Sequence, residues 1–226
     1  LRGELTLVYA APERLTTPRF MALLQSLHER GQLSLFAIDE AHCISQWGYD
    51  FRPSYLELIK LRELHSNVPF LALTATATPR VVTDIQEKLG FKEENVLSKS
   101  FRRGNLGYMV FDEENKMGRM LRVIKKMGGT GIVYVRNRRE TQEVARYLLN
   151  HGVPADFYHA GLEMAVRNKK QEDWTKNHTR VIVATNAFGM GIDKADVRFV
   201  IHLDLPDSLE AYYQEAGRAG RDEKKA

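Results

Sequence analysis

Residues 33–52 read LSLFAIDEAHCISQWGYDFR. The opening is apolar up to Ile38 apart from Ser34, and it ends abruptly in two carboxylates, Asp39 and Glu40. A short apolar run that stops at polar residues is the pattern of a strand covered on both faces. Further runs of this kind recur along the chain: LTLVYA (5–10), VPFLALTAT (68–76), GIVYV (131–135), ADFYHA (155–160), RVIVAT (180–185) and VRFVIHLD (197–204). Amphipathic stretches separate them, at 17–30, 54–65, 79–89, 116–127, 138–150, 163–174 and 208–217. Thr78 before Pro79 marks a helix start, an N-cap followed by a proline at the first helical position. Strand and helix in alternation predict an α/β protein with parallel sheets.

The stretch at 90–115 is polar and weakly periodic, and a strand–helix series lies on each side of it. Two α/β units are expected, residues 1–104 and 105–226, of ordinary domain size. No segment approaches 18 uncharged apolar residues, so a membrane span is not expected. Cys43 is the single cysteine, which excludes a disulfide framework and a multi-cysteine zinc site and suits a cytoplasmic protein. The net charge is +4. Residues 1–104 carry 13 basic against 12 acidic side chains, and residues 105–226 carry 20 against 17. So thin an excess permits nucleic acid as a partner only through local placement of charge. The chain starts with Leu1 almost directly in an apolar run and stops at Ala226 after a charged one, which predicts a fragment of a longer protein.

Five stretches carry chemistry. Asp39 and Glu40 fall at the carboxyl end of their strand, where open α/β sheets place ligands. One acid there can hold Mg²⁺ through water, and the other can orient or deprotonate an attacking water. In LALTATATPR (71–80), Thr74 and Thr76 stand among small residues where hydroxyls can bridge neighbouring sites. Trp47, Tyr49, Phe51, Arg52 and Tyr55 concentrate aromatics around an arginine, a stacking surface for unpaired bases. In YYQEAGRAGRD (212–222), Arg218 and Arg221 stand among glycine and alanine, spacing that suits a polyphosphate and a charge-stabilising finger. In VIVATNAFGMGIDKADVR (181–198), a buried strand ends at Thr185, and a loop with Gly189 and Gly191 leads to Asp193. Each stretch taken singly also has a plain structural reading: a solvated strand end, a capped helix, a small satellite core, a basic helix end, a glycine turn.

Their joint order resembles the superfamily 2 helicases, and within these the RecQ family of DNA helicases. DEAH (39–42), TATAT (74–78), GIVYVRNRRETQEVARYL, ATNAFGMGIDKADVRFVIH and YYQEAGRAGRD are similar to motifs II to VI, and AHCISQWGYDFRPSY to the RecQ aromatic-rich loop. YAAPERL (9–15) and YHAGL (158–162) match as well. The resemblance covers essentially the whole chain. It implies two RecA-like lobes, the first truncated at its N-terminus, with ATP between them and 3′-to-5′ unwinding of DNA in repair and recombination. By position, it implies that Asp39 serves Mg²⁺, Glu40 activates water and His42 links the site to its neighbours. Arg221 is then the arginine finger and Arg218 a second phosphate contact, with Asp193, Gly191 and Gln214 near the nucleotide. Trp47, Phe51, Arg52, Thr74, Thr76 and Thr185 bind DNA or couple it to hydrolysis. A cytoplasmic, nucleoid-associated setting follows by analogy.

The sequence departs from the family in one large respect. A phosphate-cradling G-x-x-x-x-G-K-[ST] loop is not found, and no Gly-Lys pair occurs. The first lobe is therefore expected to be incomplete, and the chain alone to bind ATP poorly and not to unwind DNA. Near the lobe connection, Gly104 and Gly107 replace the family's usual proline and arginine. Two other readings compete: a superfamily 2 motor acting on RNA, which the aromatic loop disfavours, and a nucleic-acid binder without hydrolysis, which Asp39, Glu40, Arg218 and Arg221 disfavour.

Overall fold

The computed structural model describes residues 6–48, 50–93, 95–100, 102–189 and 192–226. Tyr49 and Gly191 therefore lie outside the described residues. The chain divides into two compact units, Leu1–Ser98 and Lys99–Ala226.

In the first unit, α1 (Pro18–Glu29) precedes β1 (Phe36–Ile38), followed by α2 (Glu57–Leu64), β2 (Phe70–Ala72) and α3 (Pro79–Lys88). Strands β1 and β2 pair in parallel, with Phe36 opposite Phe70 and Ile38 opposite Ala72. Leu24, Ile38, Ile44, Leu58, Leu61, Val81, Ile85 and Leu89 form the core between helices and sheet. Helix α3 starts as its sequence dictates: Pro79 opens it and the Thr78 side chain accepts from the Val81 amide. The expected strand at 5–10 is not formed over the described residues 6–10. No strand is paired beside them, and without a partner to take the backbone hydrogen bonds an apolar run stays irregular. Tyr9 is accordingly 90% exposed.

The second unit runs α4 (Lys116–Lys126), β3 (Thr130–Tyr134), α5 (Arg138–Asn150), β4 (Ala155–Tyr158), α6 (Met164–Thr175), β5 (Val181–Ala184), β6 (Val197–His202) and α7 (Leu209–Ala216). Its four strands are parallel in the order β4-β5-β3-β6. Both faces are covered. Val133, Val181 and Val183 pack with Met120, Ile124, Val144 and Leu148 on one side. The intervening Ile132, Tyr134, Ile182 and Ala184 pack with Trp174, Phe188 and Ile192 on the other. This two-residue alternation between two apolar cores explains why the strands read as unbroken apolar runs. Residues 99–107 also belong to this unit by contact. The Arg103 guanidinium donates to the carbonyls of Gly217, Ala219 and Gly220, and the Asn105 amide to those of Gly220 and Lys224.

Candidate functional site

In the first unit, β1 delivers Asp39 and Glu40 to its carboxyl end. Glu40 adopts a left-handed backbone, φ 51° and ψ 41°, which a non-glycine residue holds only when its surroundings enforce it. The enforcement is visible in the bonding. The Glu40 amide donates to the Asp39 carboxylate at 2.9 Å, and the Ala41 amide to the Leu73 carbonyl at 2.9 Å. The Leu73 amide returns to the Ile38 carbonyl at 2.8 Å, and the Tyr55 hydroxyl reaches the Asp39 carbonyl at 3.2 Å. The acidic turn is thereby fastened to the segment that carries Thr74. His42 Nδ1 lies 3.0 Å from the Thr74 hydroxyl and 3.4 Å from the Glu40 carboxylate. Thr76 is buried, its amide 3.5 Å from the Thr74 hydroxyl.

The aromatic loop joins the same assembly. Arg52 pairs with Asp50 at 2.6 Å, and its amide donates to the Cys43 carbonyl at 2.9 Å. Phe51 is half-buried and Trp47 is 60% exposed, its ring under the Arg80 guanidinium at 3.4 Å. His42, Cys43 and Asp50 bring ligand-type atoms within 4.8 Å of one another. The Arg52 guanidinium engages that carboxylate, and burial pushes the Cys43 thiol up to about 12. The trio therefore serves as a hydrogen-bonded link between the acidic turn and the aromatic loop. Asp39 is exposed, with one oxygen turned to the Glu40 amide. A hard, accessible carboxylate of this kind fits a hydrated Mg²⁺.

Burial holds His42 below the ordinary histidine value of 6.5, against the opposing pull of Asp50. Burial and the neighbouring His28 lower His65 likewise. Both stay neutral in the folded chain at pH values where the unfolded chain takes up protons. Stability is therefore expected to fall as pH drops below about 6.5. The thermal midpoint at pH 5.5 should lie below that at pH 7.5; equal midpoints would contradict this.

In the second unit, Thr185 directly follows β5 and is buried, beside a cavity of about 560 Å³. Arg136, Asn137, Arg138 and Arg139, from the end of β3 and the start of α5, line the same cavity. The two arginines of the loop after α7 differ sharply. Arg218 is buried, donates to the Gly189 carbonyl and packs so closely that a Cβ on Gly189 would lie 2.7 Å from its guanidinium. Arg221 is 40% exposed at its side chain and pairs with the exposed Asp193 at 2.9 Å. Gln214 lies half-buried on α7.

Comparison with known proteins agrees with this arrangement. Residues 1–85 match the family model described as DEAD/DEAH box helicase, and residues 115–223 that of the helicase conserved C-terminal domain. The chain is 47% identical to the RecQ-like DNA helicase blm-1 of Caenorhabditis elegans over 97% of its length. It is 44% identical to the ATP-dependent DNA helicase RecQ of Haemophilus influenzae over 99%, and 46% identical to that of Bacillus subtilis over 97%. The chain belongs to the RecQ family of helicases. It spans 23% of the length of the worm relative, and 36% and 37% of the two bacterial ones. Among solved structures, Saccharomyces cerevisiae Dbp5 bound to RNA and ADP BeF3 superposes with a TM-score of 0.67 at 20% identity, covering 91% of this chain and 56% of that one. A DEAD box protein from Methanococcus jannaschii gives 0.56 at 24% identity, covering 90% and 56%. These likenesses concern the fold, which is of the RecA-like type.

Within this RecQ-family chain, Asp39, Glu40, His42 and Thr74 gather at one strand end, joined to Arg52 through Cys43 and Asp50. Asp193, Arg218 and Arg221 gather in the second unit, while Gly191 lies outside the described residues. Sequence reasoning passed over Arg80, Arg103 and the arginines at 136, 138 and 139. The last three stand in the stretch similar to motif IV. Arg103 and Arg80 reveal themselves only through partners distant in sequence.

Proposed function

We propose that this chain supplies most of the motor of an ATP-dependent DNA helicase, moving 3′-to-5′ along single-stranded DNA and unwinding duplex ahead of it. The observation that carries the reading is the single bonded assembly of acidic turn, Thr74 and aromatic loop in the first unit. A base stacked on Trp47 and Phe51 pulls on a loop whose Asp50 touches Cys43; Cys43 touches His42, and His42 touches Glu40. Strand binding and the water-activating carboxylate therefore move together.

Asp39 would hold the hydrated Mg²⁺ of the nucleotide, and Glu40 takes the proton from the attacking water. ATP supplies the phosphoryl group whose transfer to water drives the motor. Arg221 steadies charge on the transferred group, and Arg218, expected as a second phosphate contact, is buried on the Gly189 carbonyl and fixes the loop from within. Asp193, Gly191 and Gln214 are assigned to nucleotide binding by their place in the sequence. Thr185 and the arginine-lined cavity take the phosphates of the strand, since clustered arginines bind phosphate oxygens through forked hydrogen bonds. Thr76 passes the response along the segment after β2. The work belongs to DNA repair and recombination in a cytoplasmic, nucleoid-associated setting.

Hydrolysis measured with and without a single-stranded oligonucleotide tests the proposal, using protein expressed from the complete reading frame. Stimulation by single strands is expected. A rate indifferent to DNA would overturn the reading and leave binding without hydrolysis as its replacement.

A further inference from the structure

Helix α3 carries a polar stripe at helical spacing: Arg80, Asp84 and Lys88, each four residues after the last. All three side chains reach the segment between the acidic turn and the aromatic loop. Lys88 Nζ donates to the Ile44 carbonyl at 3.0 Å. It also pairs with Asp84 at 3.0 Å, and the Ser45 side chain lies beside that carboxylate and helps to lower its pKa. Arg80 stands at the far end of this row, its guanidinium carbon 3.4 Å from the centre of the Trp47 ring. The row runs antiparallel to the chain it grips: Lys88 on Ile44, Asp84 on Ser45, Arg80 on Trp47.

The gripped segment has little freedom of its own. The Trp47 amide donates to the Ser45 hydroxyl at 3.2 Å. A Cβ on Gly48 would lie 2.6 Å from the His42 carbonyl, so the backbone passes that turn at the closest approach a glycine allows. Trp47 is nevertheless 60% exposed with one face under Arg80, which leaves its other face to solvent. A large aromatic ring held by one face and open on the other is a prepared platform for a flat, polarisable ligand.

We propose that Arg80 is a positioning residue for DNA. It pins the inner face of Trp47 so that the outer face meets an unpaired base, and it ties that ring to the helix that follows Thr74 and Thr76. The proposal rests on the stacking role of Trp47 and adds the element that holds the ring. Arginine suits the task because its planar guanidinium stacks on an indole while its charge draws on the ring's negative face. No ion pair of Arg80 within 4.0 Å occurs among the described residues, so the ring is its partner of shortest reach.

A double-mutant cycle tests this, reading the affinity of protein from the complete reading frame for a fluorescein-labelled dT oligonucleotide. Trp47→Ala is expected to weaken binding about tenfold, the loss of one stacked base. Arg80→Ala is expected to weaken it about two- to fivefold by releasing the ring. In the Trp47→Ala background the same substitution should then change nothing, and the salt dependence of binding should keep its slope. Arg80→Met, which keeps the aliphatic stem, should reproduce the loss with an unchanged thermal midpoint. Equal losses from Arg80→Ala in both backgrounds, with a log–log salt slope reduced by about 0.7, would make Arg80 a phosphate contact and overturn the assignment alone. Unchanged affinity on Trp47→Ala would overturn the stacking reading and this assignment together.

Discussion

Arg221→Ala is expected to lower ATP hydrolysis about 10³-fold while leaving the fold intact, in protein expressed from the complete reading frame. The two halves of that expectation have separate grounds. The loop bearing Arg221 is fastened independently of it. Gly220 donates to the Val197 carbonyl at 2.9 Å and Asp222 to the Ala195 carbonyl at 3.1 Å. Asp222 also pairs with Arg198 at 2.6 Å, and Arg103 binds three carbonyls of the same loop. Arg221 itself extends from this frame with an exposed partner, Asp193, and an exposed ion pair contributes little to stability. What the substitution removes is a cation presented on a rigid support, which is what stabilising charge on a transferred phosphoryl group requires. Arg221→Lys keeps the charge without the planar fork and should recover only part of the rate. Arg218→Ala should behave differently, because Arg218 is buried against the Gly189 carbonyl. It should lower the thermal midpoint as well as the rate. Hydrolysis by Arg221→Ala within tenfold of the wild type would remove Arg221 from the machinery.

Glu40→Gln is expected to lower hydrolysis by about 10²- to 10⁴-fold with nucleotide affinity retained. Glutamine is nearly isosteric, so the left-handed backbone at φ 51° and the neighbourhood of His42, 3.4 Å away, survive the change. Asp39, which the reading gives to Mg²⁺, is untouched. The variant loses only the capacity to accept a proton from water. A measured rate near that of the wild type would show that another group activates the water. A lost affinity for nucleotide would place Glu40 in binding instead.

The architecture was most legible in the second unit, which is built from strands covered on two faces. Such strands must be apolar throughout, and the runs at 131–135 and 180–185 fall on β3 and β5 almost residue for residue. The exception is instructive: LTLVYA has the same composition as a buried strand, but composition carries no information about whether a neighbour is present to pair with it. The candidate site was legible where chemistry depends on position along the chain. Asp39 and Glu40 stand at a strand end because the strand stops there. It was not legible where function depends on a partner far away in sequence. Arg103 lies 114 residues from Gly217, whose carbonyl it binds. The opposite burial of Arg218 and Arg221 follows from the packing of Gly189, not from the spacing of the two arginines. The left-handed Glu40 is set by Leu73, on the strand connection next door.

We propose that strand binding at the aromatic loop and hydrolysis at the acidic turn are one device. The most direct test compares ATP hydrolysis by wild type and Trp47→Ala, each with and without a single-stranded oligonucleotide at saturating concentration. Equal basal rates are expected, with the stimulation by DNA largely lost in the variant. Undiminished stimulation of Trp47→Ala would mean that the bonded path from the aromatic loop through Asp50, Cys43 and His42 to Glu40 does not carry the signal.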